Sequence, residues 1–490
     1  MDNPRISSRL CGSKMMCLQT IWLLGTTVSL AQTVPTPVTF TAGMAESFFG
    51  RSLAVGDFNG DGIKDLLVGA PGSLGSDPSG INPYTAAGRA FIIHGPTFTD
   101  IVELTVPNPL SPEAQGWAVT AGNTGNVHNS AYLSAPFYQG PAPWDNFGVV
   151  AYYPNPSAEP GTRTLRPNPL PGTAPISRFG VSLEFAQSSF PPASTLDVGS
   201  TGIITASGAT AGMAWNVSAT ALTVNASVLP PCLEPNFGAA LVRLPTGAVA
   251  FGNPIALRNY ASGVCENIPG LGRLHQGAIP GGLNAAWHQS PGASLGTSLA
   301  TGVPGPGSHL TVAGAPFSNE ANVYLLNPST NNIFGGPGIH PETGLPNNAY
   351  GEPLQVLSPA GVGQFGRSLA LADMNADGEL DLLVGSPGGM SGGSVFVYFG
   401  PAPYSDDNRT ELTHPGLLPG AGFCVEDFLG WSVKVGDFNG DGKPDIAAGR
   451  PCDGLSEEGS VTVFFACADT SECETCSGGF CQAPPAPPAP

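Results

Sequence analysis

Apolar residues in this chain come in short runs of about four to six, bounded by Gly, Pro, Asn or Asp, and the runs keep no helical period. The stretch after Gly50 sets the pattern: RSLAVGDF, KDLLVGAP, GRAFIIHG and IVELTV read as four successive strands with turn residues in every connection. Long amphipathic windows are missing, because Pro or Gly interrupts nearly every candidate. The chain therefore reads as almost wholly β.

The same pattern returns. Residues 49–72 read FGRSLAVGDFNGDGIKDLLVGAPG, 365–388 read FGRSLALADMNADGELDLLVGSPG, and 429–451 read LGWSVKVGDFNGDGKPDIAAGRP. Weaker copies begin at Gln115 (QGWAVTAG), Arg178 (RFGVSLEF), Asn236 (NFGAALVRL) and Ser294 (SLGTSLATG). Each copy is anchored on a glycine: Gly50, Gly116, Gly180, Gly238, Gly296, Gly366 and Gly430, about sixty residues apart. A unit of that length has room for four strands. Such a sheet cannot cover both of its faces, and radial stacking of several sheets solves the problem. The expected fold is all-β: a seven-bladed β-propeller with four-stranded antiparallel blades. An extended segment precedes the first anchor (PVTFTAG, 37–43), and the last unit runs out after VTVFFAC (461–467). The ring is thus expected to be closed by an N-terminal strand that completes the last blade.

Three units carry D-x-N-x-D-G-x-x-D. In blade 1 this offers Asp57, Asn59, Asp61 and Asp65, with the Ile63 carbonyl; in blade 6, Asp373, Asn375, Asp377, Asp381 and the Glu379 carbonyl; in blade 7, Asp437, Asn439, Asp441, Asp445 and the Lys443 carbonyl. Hard oxygen donors in this number suit calcium, and about three ions are expected. An EF-hand begins similarly, but needs an acidic twelfth residue and flanking helices. The twelfth positions here are Val68, Val384 and Ala448, in β-rich surroundings. Blade 2 has GNTGNVHNSA in place of the ligands, and blades 3 to 5 have unrelated connections.

On these residues the chain resembles the FG-GAP repeats of integrin alpha-chain propellers and of many secreted bacterial proteins. The resemblance is strong over blades 1, 6 and 7 and weak over blades 2 to 5. It implies a recognition or adhesion module, and it puts the connection PFYQGPAPWDNFG, with Phe137, Tyr138 and Trp144, on the face opposite the calcium loops.

Composition adjusts this picture in a few places. Glycine (67) and proline (51) are abundant in the 490 residues, yet apolar residues still reach 41%, enough to fill a core between blades. Arg5, Arg9 and Lys14 precede an apolar run from Met15 to Leu30, with small residues before Gln32. This reads as a secretory signal over 1–31, followed by the propeller over 32–467 and a Cys-rich, Pro-rich tail over 468–490. The competing reading of the apolar run is a membrane anchor, for which it is short. No later segment is apolar enough to span a bilayer. The formal charge of −19 argues against nucleic acid. Eight cysteines follow the signal, an even number in an exported chain, so disulfides are expected. Proximity in sequence suggests Cys232 with Cys265 and Cys424 with Cys452. Cys467, Cys473, Cys476 and Cys481 form a disulfide knot or, alternatively, a zinc site.

The residues that follow the anchors of blades 6, 7, 1 and 2 are Arg367, Trp431, Arg51 and Trp117. They should stand at the mouth of the central channel, where guanidinium and indole groups either grip a protein or carbohydrate partner or pack the blade junctions. Two G-x-S-x-G strings, at Gly292–Gly296 and Gly389–Gly393, lack the strand-to-helix context of a nucleophile elbow. The expected role is binding outside the cell, not catalysis. A structural element of an extracellular complex and a polysaccharide-active enzyme stand as the alternatives. Asn216, Asn225 and Asn408 match glycosylation sequons.

Overall fold

A computed structural model of the chain describes residues 37–481 apart from several connections, the longest at 73–87, 327–353 and 414–428. Residues 1–31, the PPAPPAP tail, Trp144, Cys232, Cys424 and Cys473 lie outside the described residues, as does the side chain of Cys265. All regular structure among the described residues is β, in seven four-stranded antiparallel sheets and one short hairpin. The protein is a seven-bladed β-propeller.

Blade 1 is built from Ser52–Gly56, Asp65–Ala70, Arg89–Ile93 and Ile101–Leu104, the four runs read from the sequence. Blade 7 takes Ser432–Gly436, Asp445–Arg450 and Ser460–Phe464 from one end of the chain and Val38–Thr41 from the other. Val38 pairs with Val463 and Thr41 with Ser460, and the Thr39 and Thr462 hydroxyls bond across the seam at 3.1 Å. The N-terminal strand closes the ring as expected. Blade 4 departs from the common size: Val249–Ala261 and Val264–Ala278, of 13 and 15 residues, are the longest second and third strands among the described residues.

The core is divided into wedges between neighbouring blades. In Asp65–Ala70 every residue is buried, because both faces of the blade are covered. Leu66 and Val68 face the wedge shared with Ala447, Val461 and Val463 of blade 7, and Leu67 faces the wedge shared with Val119 and Leu133 of blade 2. That explains the unbroken apolar run of each second strand, where a half-exposed strand would alternate.

The blades meet at the anchoring glycines. Gly50, Gly116, Gly238, Gly296, Gly366 and Gly430 all have φ between 81° and 90°, a region that L side chains avoid. The carbonyl oxygen of each lies against a glycine of the preceding blade. A methyl group on Gly69 would be 2.0 Å from Gly116 O, and the same distance recurs for Gly199 with Gly238, Gly252 with Gly296, Gly314 with Gly366, Gly385 with Gly430 and Gly449 with Gly50. At five of these junctions a serine hydroxyl donates to the same carbonyl: Ser52 to Gly116, Ser182 to Gly238, Ser298 to Gly366, Ser368 to Gly430 and Ser432 to Gly50. The junction of blades 2 and 3 differs. Ser134 takes the glycine's place, a methyl on Gly180 would meet its Cβ at 2.7 Å, and the inner strand of blade 3 is irregular between Phe179 and Ser182.

The Cys-rich segment folds back as a small hairpin of Cys476–Ser477 and Phe480–Cys481. The Cys467 amide donates to Gly479 O and the Cys481 amide to Phe465 O, at 2.8 and 2.9 Å. Phe480 enters the wedge between blades 6 and 7, and Cys481 the wedge between blades 7 and 1. Cys467 is joined to Cys476 by a disulfide, and Cys452 and Cys481 are also disulfide-bonded. Thiols so engaged are not zinc ligands.

Replacing Gly385 by Ala forces a methyl into the junction of blades 6 and 7 and should destabilise the ring by roughly 1–3 kcal/mol or more. Gly161→Ala, where a methyl meets open space, should change stability by less than about 0.5 kcal/mol. Urea unfolding midpoints of the two variants test the contrast.

Candidate sites at the two ends of the inner strands

Each inner strand runs from an anchoring glycine to the connection with the second strand. In blades 1, 6 and 7 that connection is the acidic loop, so the loops lie at one end of these strands and the residues following the anchors at the other.

The three loops have one geometry. In blade 1 the Gly60 and Gly62 amides donate to Asp57 Oδ1 and Oδ2 at 2.6 and 2.9 Å, the Asp61 amide to Asn59 Oδ1 at 3.0 Å, and the Ile63 amide to Asp61 Oδ1 at 2.8 Å. Blade 6 repeats this with Gly378 on Asp373, Asp377 on Asn375 and Glu379 on Asp377; blade 7 repeats it with Gly442 on Asp437, Asp441 on Asn439 and Lys443 on Asp441. These are Asx-type turns, which explains the fixed spacing of Asp and Asn. The glycine at Gly62, Gly378 and Gly442 is needed for its φ of 85° to 90°.

The last carboxylate of each loop has a different role. Asp65, Asp381 and Asp445 are fully buried. Asp65 accepts the amides of Phe58 and Gly95, Asp381 those of Met374 and Gly400, and Asp445 those of Phe438 and Ala466. Each ties its loop to the end of the blade's third strand. Burial pushes their carboxyls up, Asp65 to about 6 and Asp445 to about 7, against the opposing pull of the amide bonds; Asp381 is raised for the same reason.

The donors of each loop are hard oxygens, the chemistry that calcium takes. A carboxylate has about four lone-pair sites, so an amide bond on each oxygen leaves acceptor capacity for a cation. The residues present therefore fit such an ion by donor type, although no three His, Cys, Asp or Glu side chains among the described residues converge on a shared point. The loops of blades 7 and 1 are linked, the Lys64 amide donating to Asp437 O at 3.0 Å, and those of blades 6 and 7 border one groove of about 560 Å³ beneath the Cys-rich hairpin. The three loops share one arc of the ring.

At the other end, all seven residues that follow the anchoring glycines line one cavity of about 310 Å³ at the channel mouth. Four are large: Arg367, Trp431, Arg51 and Trp117. Three are small: Val181, Ala239 and Thr297. The large ones are stacked in ring order, with Arg367 over Trp431 at 4.0 Å, Arg51 over Trp117 at 3.8 Å, and Arg51 5.4 Å from Trp431. Trp117 meets Phe137 edge to face at 5.5 Å, and Arg178 lies over Phe137 at 5.1 Å. Burial, together with the neighbouring Arg51, lowers the Arg367 guanidinium to about 9.

The sequence places Phe137 and Tyr138 in a connection, but the second strand of blade 2 continues to Gln139. Phe137 is buried beneath Trp117 and Tyr138 is half-buried, so the Phe137 ring supports the mouth from below. Arg178 was not singled out by position. It precedes its anchor by two residues and lines the mouth beside Val181, as Asn236, two residues before Gly238, does in blade 4.

The FG-GAP repeat family matches residues 49–93, 365–398 and 429–464. The chain is similar to phosphatidylinositol-glycan-specific phospholipase D of Bos taurus, 32% identical over 29% of this chain and 16% of that protein. It is also similar to integrin alpha-3 of Mus musculus, 38% identical over 22% of this chain and 10% of that protein, and to integrin alpha-6 of Homo sapiens, 35% identical over 21% and 9%. The matched part spans about one sixth or less of the length of these relatives.

Removing the carboxylate in Asp381→Ala leaves the Met374 and Gly400 amides without their acceptor, and should cost about 2–5 kcal/mol in unfolding experiments run in chelator. Asn375→Ala, at an exposed position of the same loop, should cost less than about 1 kcal/mol under the same conditions.

Proposed function

We propose that this integrin-like FG-GAP propeller is an exported recognition module. On this reading three calcium loops stabilise one arc of the ring, and the opposite mouth receives a protein or carbohydrate partner. The observation that carries the reading is the convergence of Arg51, Trp117, Arg367 and Trp431 on one open cavity. Arg and Trp are the residue types that dominate binding hot spots.

Calcium would be held by Asp57, Asn59, Asp61, Asp65 and the Ile63 carbonyl in blade 1. In blade 6 the ligands are Asp373, Asn375, Asp377, Asp381 and the Glu379 carbonyl, and in blade 7 Asp437, Asn439, Asp441, Asp445 and the Lys443 carbonyl. When bound, the ion supplies positive charge among clustered carboxylates. The chain's own part is to hold the oxygens in place through the glycine amides and the buried third carboxylate.

Ser294, the serine of one G-x-S-x-G string, does not stand at a strand-to-helix elbow, and Ser391 of the other lies outside the described residues. The Ser294 Oγ accepts the Phe317 amide at 2.9 Å, and Ser294 sits in the turn before an inner strand. The phospholipase D relatives share only a small part of their length with this chain, so their named activity is not carried over.

Thermal unfolding of the protein should shift upward between excess chelator and millimolar calcium, with about three ions bound per chain by calorimetry. At a calcium concentration 100 times the dissociation constant each site contributes about 2.7 kcal/mol. An unchanged melting temperature with no bound ion would remove calcium from the reading and leave the channel mouth as its only support.

A further inference from the structure

The mouth is lopsided. Blades 6, 7, 1 and 2 fill their side with Arg and Trp, whereas Val181, Ala239 and Thr297 of blades 3 to 5 leave theirs open. The cavity is the space these small residues leave, bordered by guanidinium groups, with Arg178 on the blade 3 side. No Asp or Glu occurs among the described residues that line it, in a chain whose formal charge is −19. Positive charge is gathered here against the overall balance of the protein.

The stacking decides what kind of group the mouth can take. Arg51 covers the face of Trp117, and Arg367 that of Trp431, at 3.8 and 4.0 Å. A sugar ring seeks a bare aromatic face, and one face of each indole is already taken by a guanidinium. A stacked guanidinium keeps its N–H groups in its own plane, where they match the two oxygens of a carboxylate. A volume of about 310 Å³ is at the lower bound for ligand cavities, room for one or two side chains and not for an extended chain. Like charges held side by side oppose one another, which is part of why the Arg367 guanidinium is lowered, and an anion would relieve that opposition.

We infer that the channel mouth binds the carboxylate side chains of an acidic segment of a partner protein, with Arg178, Arg367 and Arg51 as the receiving groups. The inference rests on the recognition reading above and narrows it from protein or carbohydrate to acidic peptide.

The test is a titration of the full chain with the peptide acetyl-Gly-Asp-Glu-Gly-amide and its neutral counterpart acetyl-Gly-Asn-Gln-Gly-amide at up to millimolar concentration. Binding is followed by calorimetry and by tryptophan fluorescence, since Trp117 and Trp431 line the cavity. The acidic peptide should bind saturably and weaken several-fold between 50 and 200 mM salt, as expected for charge pairing. The neutral peptide should bind at least tenfold more weakly. Arg178→Gln should weaken the acidic peptide about tenfold without changing the melting temperature by more than a few degrees, because Arg178 is exposed. Equal binding of the two peptides, or acidic binding unaffected by Arg178→Gln, overturns the anion assignment while leaving a recognition surface. Binding of neither peptide overturns the assignment and the recognition reading of this mouth together.

Discussion

Every blade but the second meets its successor where the carbonyl of an anchoring glycine rests against the Cα of another glycine. No side chain fits at either partner: the anchor's backbone is left-handed, and a methyl on the opposing glycine would come within 2.0 Å of the carbonyl oxygen. The closeness sets the wedge angle between sheets, and the serine hydroxyl that donates to the same oxygen fixes their stagger. Because the junction is repeated almost unchanged, the residue after each anchor is delivered to the same place at the channel mouth. The chemistry of that mouth follows from which side chains occupy a position that backbone contacts have already fixed.

The same inner strands carry two opposed kinds of charge. One end leads into loops whose carboxylates cap their own amides and leave acceptor capacity for a hard cation. The other presents guanidinium groups stacked on indoles. The length of a strand separates the cations of one end from the carboxylates of the other.

Much of this was legible in the sequence because it depends on residues with a single physical use. Gly50 and its counterparts mark the repeat, the D-x-N-x-D-G spacing marks a tight loop of oxygen donors, and PVTFTAG without a unit of its own marks a strand looking for a blade. Arg178 was not legible, since it stands two residues before its anchor, outside the position after the glycine that the repeat singles out. The docking of Phe480 was hidden as well. A lone aromatic among cysteines gives no period, and its place between blades 6 and 7 depends on bonds to Phe465 and Cys467 that no local pattern encodes. In blade 2, the strand that carries Phe137 runs past the proline that reads as its end, because Gln139 still finds a partner in Phe147.

Closure of the last blade by Val38–Thr41 joins residues more than four hundred positions apart. During synthesis Val38–Thr41 emerges long before the strand it pairs with. Until Ser460–Phe464 arrives, it is an open β edge and blade 7 has no outer strand, a state that invites pairing with other chains. Closure of the ring therefore waits on its most distant contact.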